Sequence, residues 1–137
     1  MIVIACLDDN GGIMFNHRRQ SRDKVLCAQI AELVKHAALW MNEYSAKLFS
    51  DQRIPGLNIS DTFLKDAKEG DFCFVEGETL APIEQQIEKL IIFKWNRVYP
   101  ADRYFDLQLG EGTWQLALSS DFAGNSHERI TMEVYER

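Results

Sequence analysis

The residues best able to act on a ligand gather in one short stretch. His17, Arg18, Arg19 and Arg22 concentrate positive charge in a chain whose formal net charge is −6. They precede a segment of helical periodicity, and the free N–H groups and dipole of a helix start favour anions. Arginine meets phosphate or carboxylate in bidentate geometry. One reading is therefore an anion site for a phosphate, a nucleotide or a carboxylate-bearing metabolite, with Arg18 and Arg19 central. The other is a solvated loop whose arginines pair with surface acids at little net gain. Asp23 follows two residues after Ser21, a candidate N-cap. A carboxylate there complements the positive end of a helix, an interaction worth about 0.3–1 kcal/mol. Cys6, Cys27 and Cys73 are odd in number, form no CxxC pair, and stand at no metal-ligand spacing from His17, His36 or His127. That pattern gives no support to a metal centre. Each cysteine sits among apolar neighbours, as buried small side chains do.

The elements that must position these residues are legible in the hydropathy pattern. Ile2-Val3-Ile4-Ala5-Cys6-Leu7 is a continuous apolar run short enough for a buried strand, broken by Asp8-Asp9-Asn10-Gly11-Gly12. A polar loop through Arg22 leads to Val25, Leu26, Ile30, Leu33, Val34 and Ala37 at helical spacing. Ala38-Leu39-Trp40-Met41 reads as a second strand, and Asn42 as the cap of a brief helix with Tyr44, Leu48 and Phe49. Pro55-Gly56 marks a turn, and Ser60 is placed to cap a helix containing Phe63, Leu64 and Ala67. Phe72-Cys73-Phe74-Val75 and Leu90-Ile91-Ile92-Phe93 are two more buried strands, separated by a short helix with Pro82. The tail alternates over 113–118 and 128–135, which predicts an antiparallel pair. Trp40 and Trp114 belong to the core on this reading, whereas Trp95 lies in a polar strand exit, at a pocket mouth or an oligomer contact.

Length and composition set the frame. The chain of 137 residues has 46% apolar and 26% charged residues, the profile of one folded domain spanning 1–137. Net negative charge disfavours nonspecific binding to nucleic acid or anionic membrane. No basic stripe interleaved with aromatics points to nucleic acid, and no apolar window reaches membrane-spanning length. Met1 to Leu7 lacks a basic flank and a cleavage site, so a cytoplasmic location is expected. The expected partner is a small molecule, with the oligomeric state open.

The tail Asn125-Ser126-His127-Glu128-Arg129-Ile130-Thr131-Met132-Glu133-Val134-Tyr135-Glu136-Arg137 resembles the closing strand of dihydrofolate reductases. The order of elements resembles that family from end to end. The opening strand with Ala5 is similar to its first strand, and Gly12-Ile13-Met14-Phe15-Asn16 to the start of its mobile loop. Leu39-Trp40-Met41 with Asn42-Glu43-Tyr44-Ser45 resembles the strand and helix start that receive cofactor phosphate. Phe74-Val75-Glu76-Gly77-Glu78 resembles the strand ending in a Gly-Gly pair, and Glu88 to Phe93 with Tyr99-Pro100-Ala101-Asp102 the next strand and its exit loop. The resemblance implies an α/β fold: a mixed, mostly parallel central sheet flanked by helices, with a C-terminal antiparallel hairpin.

For the site, the resemblance implies Asp23 as the lone carboxylate that manages a proton on the pterin ring. Ala5, Cys27 and Phe93 would line the substrate cleft, and Ser45 and Gly77 the cofactor side. His127 would anchor the terminal hairpin. The chain departs from the family's pattern at these points. His17-Arg18-Arg19-Gln20 stands where the family has Leu-Pro-Trp, and Cys27 where an aromatic face is expected. Phe93 replaces a hydrogen-bonding Thr, and Glu76 replaces the first Gly of the pair. Glu76 brings bulk and charge to where pyrophosphate would lie, and Glu43 stands where a cation would meet the cofactor. The chain is also short around 50–71, the adenosine side. The favoured expectation is a diverged protein without a cofactor, binding a small anionic or heteroaromatic metabolite in the former pterin cleft without ordinary folate reduction. The alternative is an NADPH-dependent oxidoreductase acting on a pterin- or folate-like ring, with Asp23 as its proton-managing carboxylate. An interaction module is a third class, with no positive sequence feature.

Overall fold

Residues 1–137 are all described by a computed structural model. The opening apolar run forms β1 (Ile2–Leu7), and the expected loop after it is instead a hairpin, β2 (Gly12–Phe15) with β3 (Arg18–Arg19). Pairing of Phe15 with Arg18 leaves a two-residue turn, Asn16-His17, both at positive φ (52° and 62°). That is the geometry of a type I′ hairpin turn, which Asn tolerates well. The hairpin was not foreseen because its strands are short and polar, so alternation gives no signal.

The helix α1 (Lys24–Leu33) follows, capped by Asp23 rather than by Ser21. Next come β4 (Leu39–Met41), α2 (Glu43–Leu48) capped by Asn42, β5 (Leu57–Ile59) and α3 (Phe63–Asp66). The N-cap of α3 is Thr62, not Ser60, and it makes no side-chain cap bond. The chain continues through β6 (Phe72–Phe74), a 3-10 helix (Ala81–Gln86), β7 (Lys89–Lys94) and β8 (Arg103–Tyr104). It ends in β9 (Gln115–Phe122) and β10 (Ile130–Glu136).

Seven strands form one sheet in the order β5-β4-β6-β1-β7-β10-β9, and β3-β2-β8 form a small second sheet. The strands from β5 to β7 run parallel, while β10 pairs antiparallel with β7 and β9. This is the mixed, mostly parallel sheet with an antiparallel terminal hairpin that the sequence order implies. Pleating divides the core. Val3, Ala5 and Leu7 face one cluster with Phe63, Leu90, Ile92 and Trp114; Ile4 faces another with Leu26, Ile30, Phe49, Phe74 and Phe93. The even residues of β1 thus look toward α1, and the odd residues away from it. No helix is long and apolar enough to cross a membrane.

Candidate functional site

Two spaces open beside the segment 18–23, at the C-terminal ends of β1, β6 and β7, where parallel sheets bind ligands. One is closed. It is lined by Cys6, Arg19, Asp23, Cys27, Glu76 and Trp95 among others, and its volume is about 10 Å³, room for roughly one water. The other is an open groove of about 750 Å³ lined by Arg18, Arg19, Ser21, Arg22, Tyr44, Arg97, Tyr99, Ser126 and His127.

An ion pair closes the first space. Arg19 Nε donates to Glu76 Oε2 at 2.8 Å and Arg19 Nη2 to Glu76 Oε1 at 2.9 Å, a bidentate fork. Ser45 Oγ adds a bond to Glu76 Oε1 at 2.8 Å, and the Arg19 guanidinium lies 4.4 Å from the Tyr44 ring centre. Burial pulls the Arg19 guanidinium down, but the hydrogen bond and charge of Glu76 outweigh it and hold the group above its ordinary value. The backbone at Gly77 is also covered. At φ +95°, a Cβ on Gly77 would stand 2.5 Å from Met14 Sδ, so the hairpin β2–β3 lies against it. The end of α2 is met from within as well: Asn42 Oδ1 accepts from Ser45 N, and Glu43 occupies the first turn. The groups that the resemblance assigns to a dinucleotide therefore bind one another.

The Asp23 carboxylate is buried, with the residue only 2% exposed. Its Oδ1 accepts from Val25 N (2.9 Å), Leu26 N (3.2 Å) and Asn125 N (3.1 Å). Its Oδ2 accepts from Ser126 N (2.9 Å) and Ser126 Oγ (3.1 Å), and lies 3.1 Å from His127 Nδ1. Burial alone would push its pKa up. The bonds from Ser126, His127, Asn125 and Leu26 outweigh that and hold the carboxyl well below the usual carboxylate range. A proton donor needs the opposite shift. Gly124 makes the close approach possible, since a Cβ there would stand 2.4 Å from Asp23 Oδ2. Asp23 thus caps α1 and fastens the loop before β10 to it.

The remaining residues anticipated from sequence divide between these spaces and the core. Cys27 lines the closed cavity, one helical turn past Asp23, with burial pushing its thiol up to about 11. Arg18 and Arg19 both reach the groove. Ala5 does not face the cavity; its side of β1 belongs to the opposite core, and Cys6 takes the facing place. Burial raises the Cys6 thiol well above its ordinary value. Phe93 is core, edge-on to Phe122 with ring centres 6.2 Å apart. Ser45 is fully buried under Glu76, and Gly77 lies beneath Met14. Neither lines the cavity or the groove.

Several residues of the site carried no clear sequence signal. Trp95 is buried, not a mouth residue, and stacks on the His127 ring with centres 4.5 Å apart. His127 does anchor the terminal loop, but its Nε2 also faces Ser21 Oγ (3.1 Å) and Tyr99 OH (2.8 Å). Asp8 holds the groove's far wall: it accepts from Asn10 N, Gly12 N, Gln20 Nε2 and Tyr99 N at 2.8–3.1 Å. Its position between a buried strand and Asp9-Asn10-Gly11 is the one hint, since aspartate at such a break bonds its own turn.

No protein-family model and no curated protein matches the sequence. The solved structure of dihydrofolate reductase from Enterococcus faecalis, complexed with NADP(H) and RAB-propyl, superposes with a TM-score of 0.70. The identity is 11%, over 99% of this chain and 95% of that one. Likeness along both chains at so low an identity establishes architecture: this chain has the dihydrofolate reductase-like fold.

Proposed function

We propose that this protein binds a small anionic metabolite, with or without a ring, and that it does so in the arginine groove rather than inside the former pterin cleft. The observation that carries this reading is the contrast in volume and charge. The cavity behind Arg19 and Glu76 holds only about 10 Å³, while the adjoining groove offers about 750 Å³. Arg18, Arg22 and Arg97 line that groove and are exposed, in a chain of net charge −6. Tyr44 and Tyr99 line the same groove, and aromatic side chains suit a ligand with a planar ring. Guanidinium groups suit a carboxylate or a phosphate, and the volume suits a metabolite.

The second reading, an NADPH-dependent oxidoreductase, draws on the E. faecalis structure, which is complexed with NADP(H). The Arg19–Glu76–Ser45 cluster and the Met14 contact at Gly77 weigh against it. Trp95, stacked on a groove residue, provides a fluorescent reporter. Titration with citrate, with pyridoxal phosphate and with NADPH should give saturable binding for at least one of the first two. NADPH should give none up to millimolar concentration. Micromolar NADPH binding would replace this reading with the reductase; no response to either anion, checked by calorimetry, would remove the groove as a site.

A further inference from the structure

The groove wall contains an arrangement that anion binding alone does not require. Asp23, His127 and Ser21 lie in line: Asp23 Oδ2 is 3.1 Å from His127 Nδ1, and His127 Nε2 is 3.1 Å from Ser21 Oγ. Asp23 is held as an ionised acceptor by five other hydrogen bonds. Its partner Nδ1 must therefore carry the ring proton, which leaves the lone pair on Nε2 aimed at the serine. The imidazole is held against the Trp95 ring, inclined to it by 24°. Side-chain exposure is 2% for His127 and 0% for Asp23, whereas Ser21 is half-exposed and lines both the cavity and the groove. The backbone N–H groups of Ser21, Arg22 and Asp23 donate to no protein acceptor. The segment just before α1 therefore carries three backbone donors without a protein partner.

We propose that Ser21, His127 and Asp23 form a nucleophilic relay that hydrolyses a carboxylic ester whose acid part bears a second anionic group. The anionic preference rests on the groove reading above; the relay stands on its own geometry. As Ser21 Oγ bonds to the ester carbonyl carbon, its proton passes to His127 Nε2 and the carbonyl π electrons move to oxygen. The free N–H groups of the 21–23 segment are the donors available to that oxyanion. Collapse breaks the bond to the leaving alkoxide, which takes the proton from Nε2. Water then attacks the acyl-serine, gives its proton to Nε2, and the second collapse returns that proton to Ser21. The sum is ester plus water to acid plus alcohol, with no redox partner. Asp23 is a positioning residue, holding the tautomer and orientation of His127. Arg18, Arg22 and Arg97 would hold the remote carboxylate or phosphate. Tyr99 OH shares Nε2 at 2.8 Å and lies 3.4 Å from Ser21 Oγ, so the resting histidine divides its acceptor between two hydroxyls.

The test uses the full chain with 4-nitrophenyl acetate and 4-nitrophenyl hemisuccinate, following nitrophenolate release. Labelling by a fluorophosphonate, mapped by peptide mass spectrometry, is run in parallel. The expected result is turnover that favours the hemisuccinate, label on Ser21, and a loss of about 10²–10⁴-fold in Ser21→Ala. Tyr99→Phe leaves Ser21 as the only hydroxyl on Nε2 and so tells the two hydroxyls apart. Circular dichroism and melting confirm that each variant is folded. If Ser21→Ala changes only the melting temperature, with no label at Ser21 in the parent chain, the cluster is structural and the proposal falls. Loss of activity in Tyr99→Phe but not in Ser21→Ala would assign the reacting hydroxyl to Tyr99 and also overturn it. Equal rates on the two esters with Ser21 labelled would keep the relay and remove the anionic substrate class, without touching equilibrium binding of anions in the groove.

Discussion

Arg18 and Arg19 are neighbours in sequence and opposites in employment. Arg19 turns inward, half-buried, and closes the small cavity by gripping Glu76 from 57 residues away. Arg18 turns outward into an open groove where, together with Arg22 and Arg97, it has no acidic partner within ion-pair distance. The strand β3 alone explains the split, because successive side chains in a strand point to opposite faces. The consequence is a division of one basic segment into a structural half and a half available to ligand. A charge whose partner is buried contributes to folding; a solvated one contributes to recognition, at almost no cost to stability when removed.

The widest expected effect lies at the residue on which both spaces depend. Asp23→Ala removes the cap of α1 and leaves the Asn125–His127 donors unmatched. It should cost about 4 kcal/mol or more, since each stranded buried donor costs about 1–3 kcal/mol. Urea denaturation measures it, and a cost below about 1 kcal/mol would show that Asp23 is not the fastener described here. Its depressed pKa also fixes the sign of a pH effect. The unfolded chain takes up the proton first, so the stabilisation is complete above the ordinary aspartate value of about 3.9 and is lost as pH falls toward the folded-state value. The urea midpoint should hold from pH 7 to about 5 and fall below about pH 4, with a shallower fall in Asp23→Asn.

Next comes the closed cleft. Arg19→Ala strands Glu76 and should cost about 3 kcal/mol, at the lower end for removing one partner of a buried pair. Arg19→Ala combined with Glu76→Ala should be less damaging than the sum of the single changes, as a double-mutant cycle would report. Additive losses would break the claim that this pair seals the cleft. The smallest expected effect is on the open side. Arg18→Ala and Arg22→Ala should each leave the urea midpoint within about 0.5 kcal/mol of the parent. Each should weaken citrate or pyridoxal phosphate binding roughly five- to tenfold, about 1–1.4 kcal/mol. If Arg18→Ala destabilises as much as Arg19→Ala, the two arginines are not divided as proposed.

Much of the architecture was readable because it is written in short-range patterns. The apolar runs 2–7, 72–75 and 90–93 could only be buried strands, and Asn42 ahead of Tyr44 and Leu48 fixed a helix start. Their order, with the alternating tail, sufficed for the fold. A continuous apolar run does not say which face of β1 would meet α1, so Ala5, taken from the resemblance, stood where Cys6 lines the cavity. The β2–β3 hairpin escaped because its strands are too short and polar for alternation to show; its turn at Asn16-His17 was the signal present.

By itself, then, the sequence determined the buried strands, the helices, their order and the concentration of arginine before α1, since these depend on spacings of two to four residues. Tertiary structure alone decided that Arg19 meets Glu76, that Asp23 meets the tail 102–104 residues on, and that Ser21, His127 and Tyr99 share one ring nitrogen. Those meetings depend on strand register and on how two loops approach across the sheet ends. A difference of one residue in that register reverses which side chain faces the site, and no local pattern encodes it.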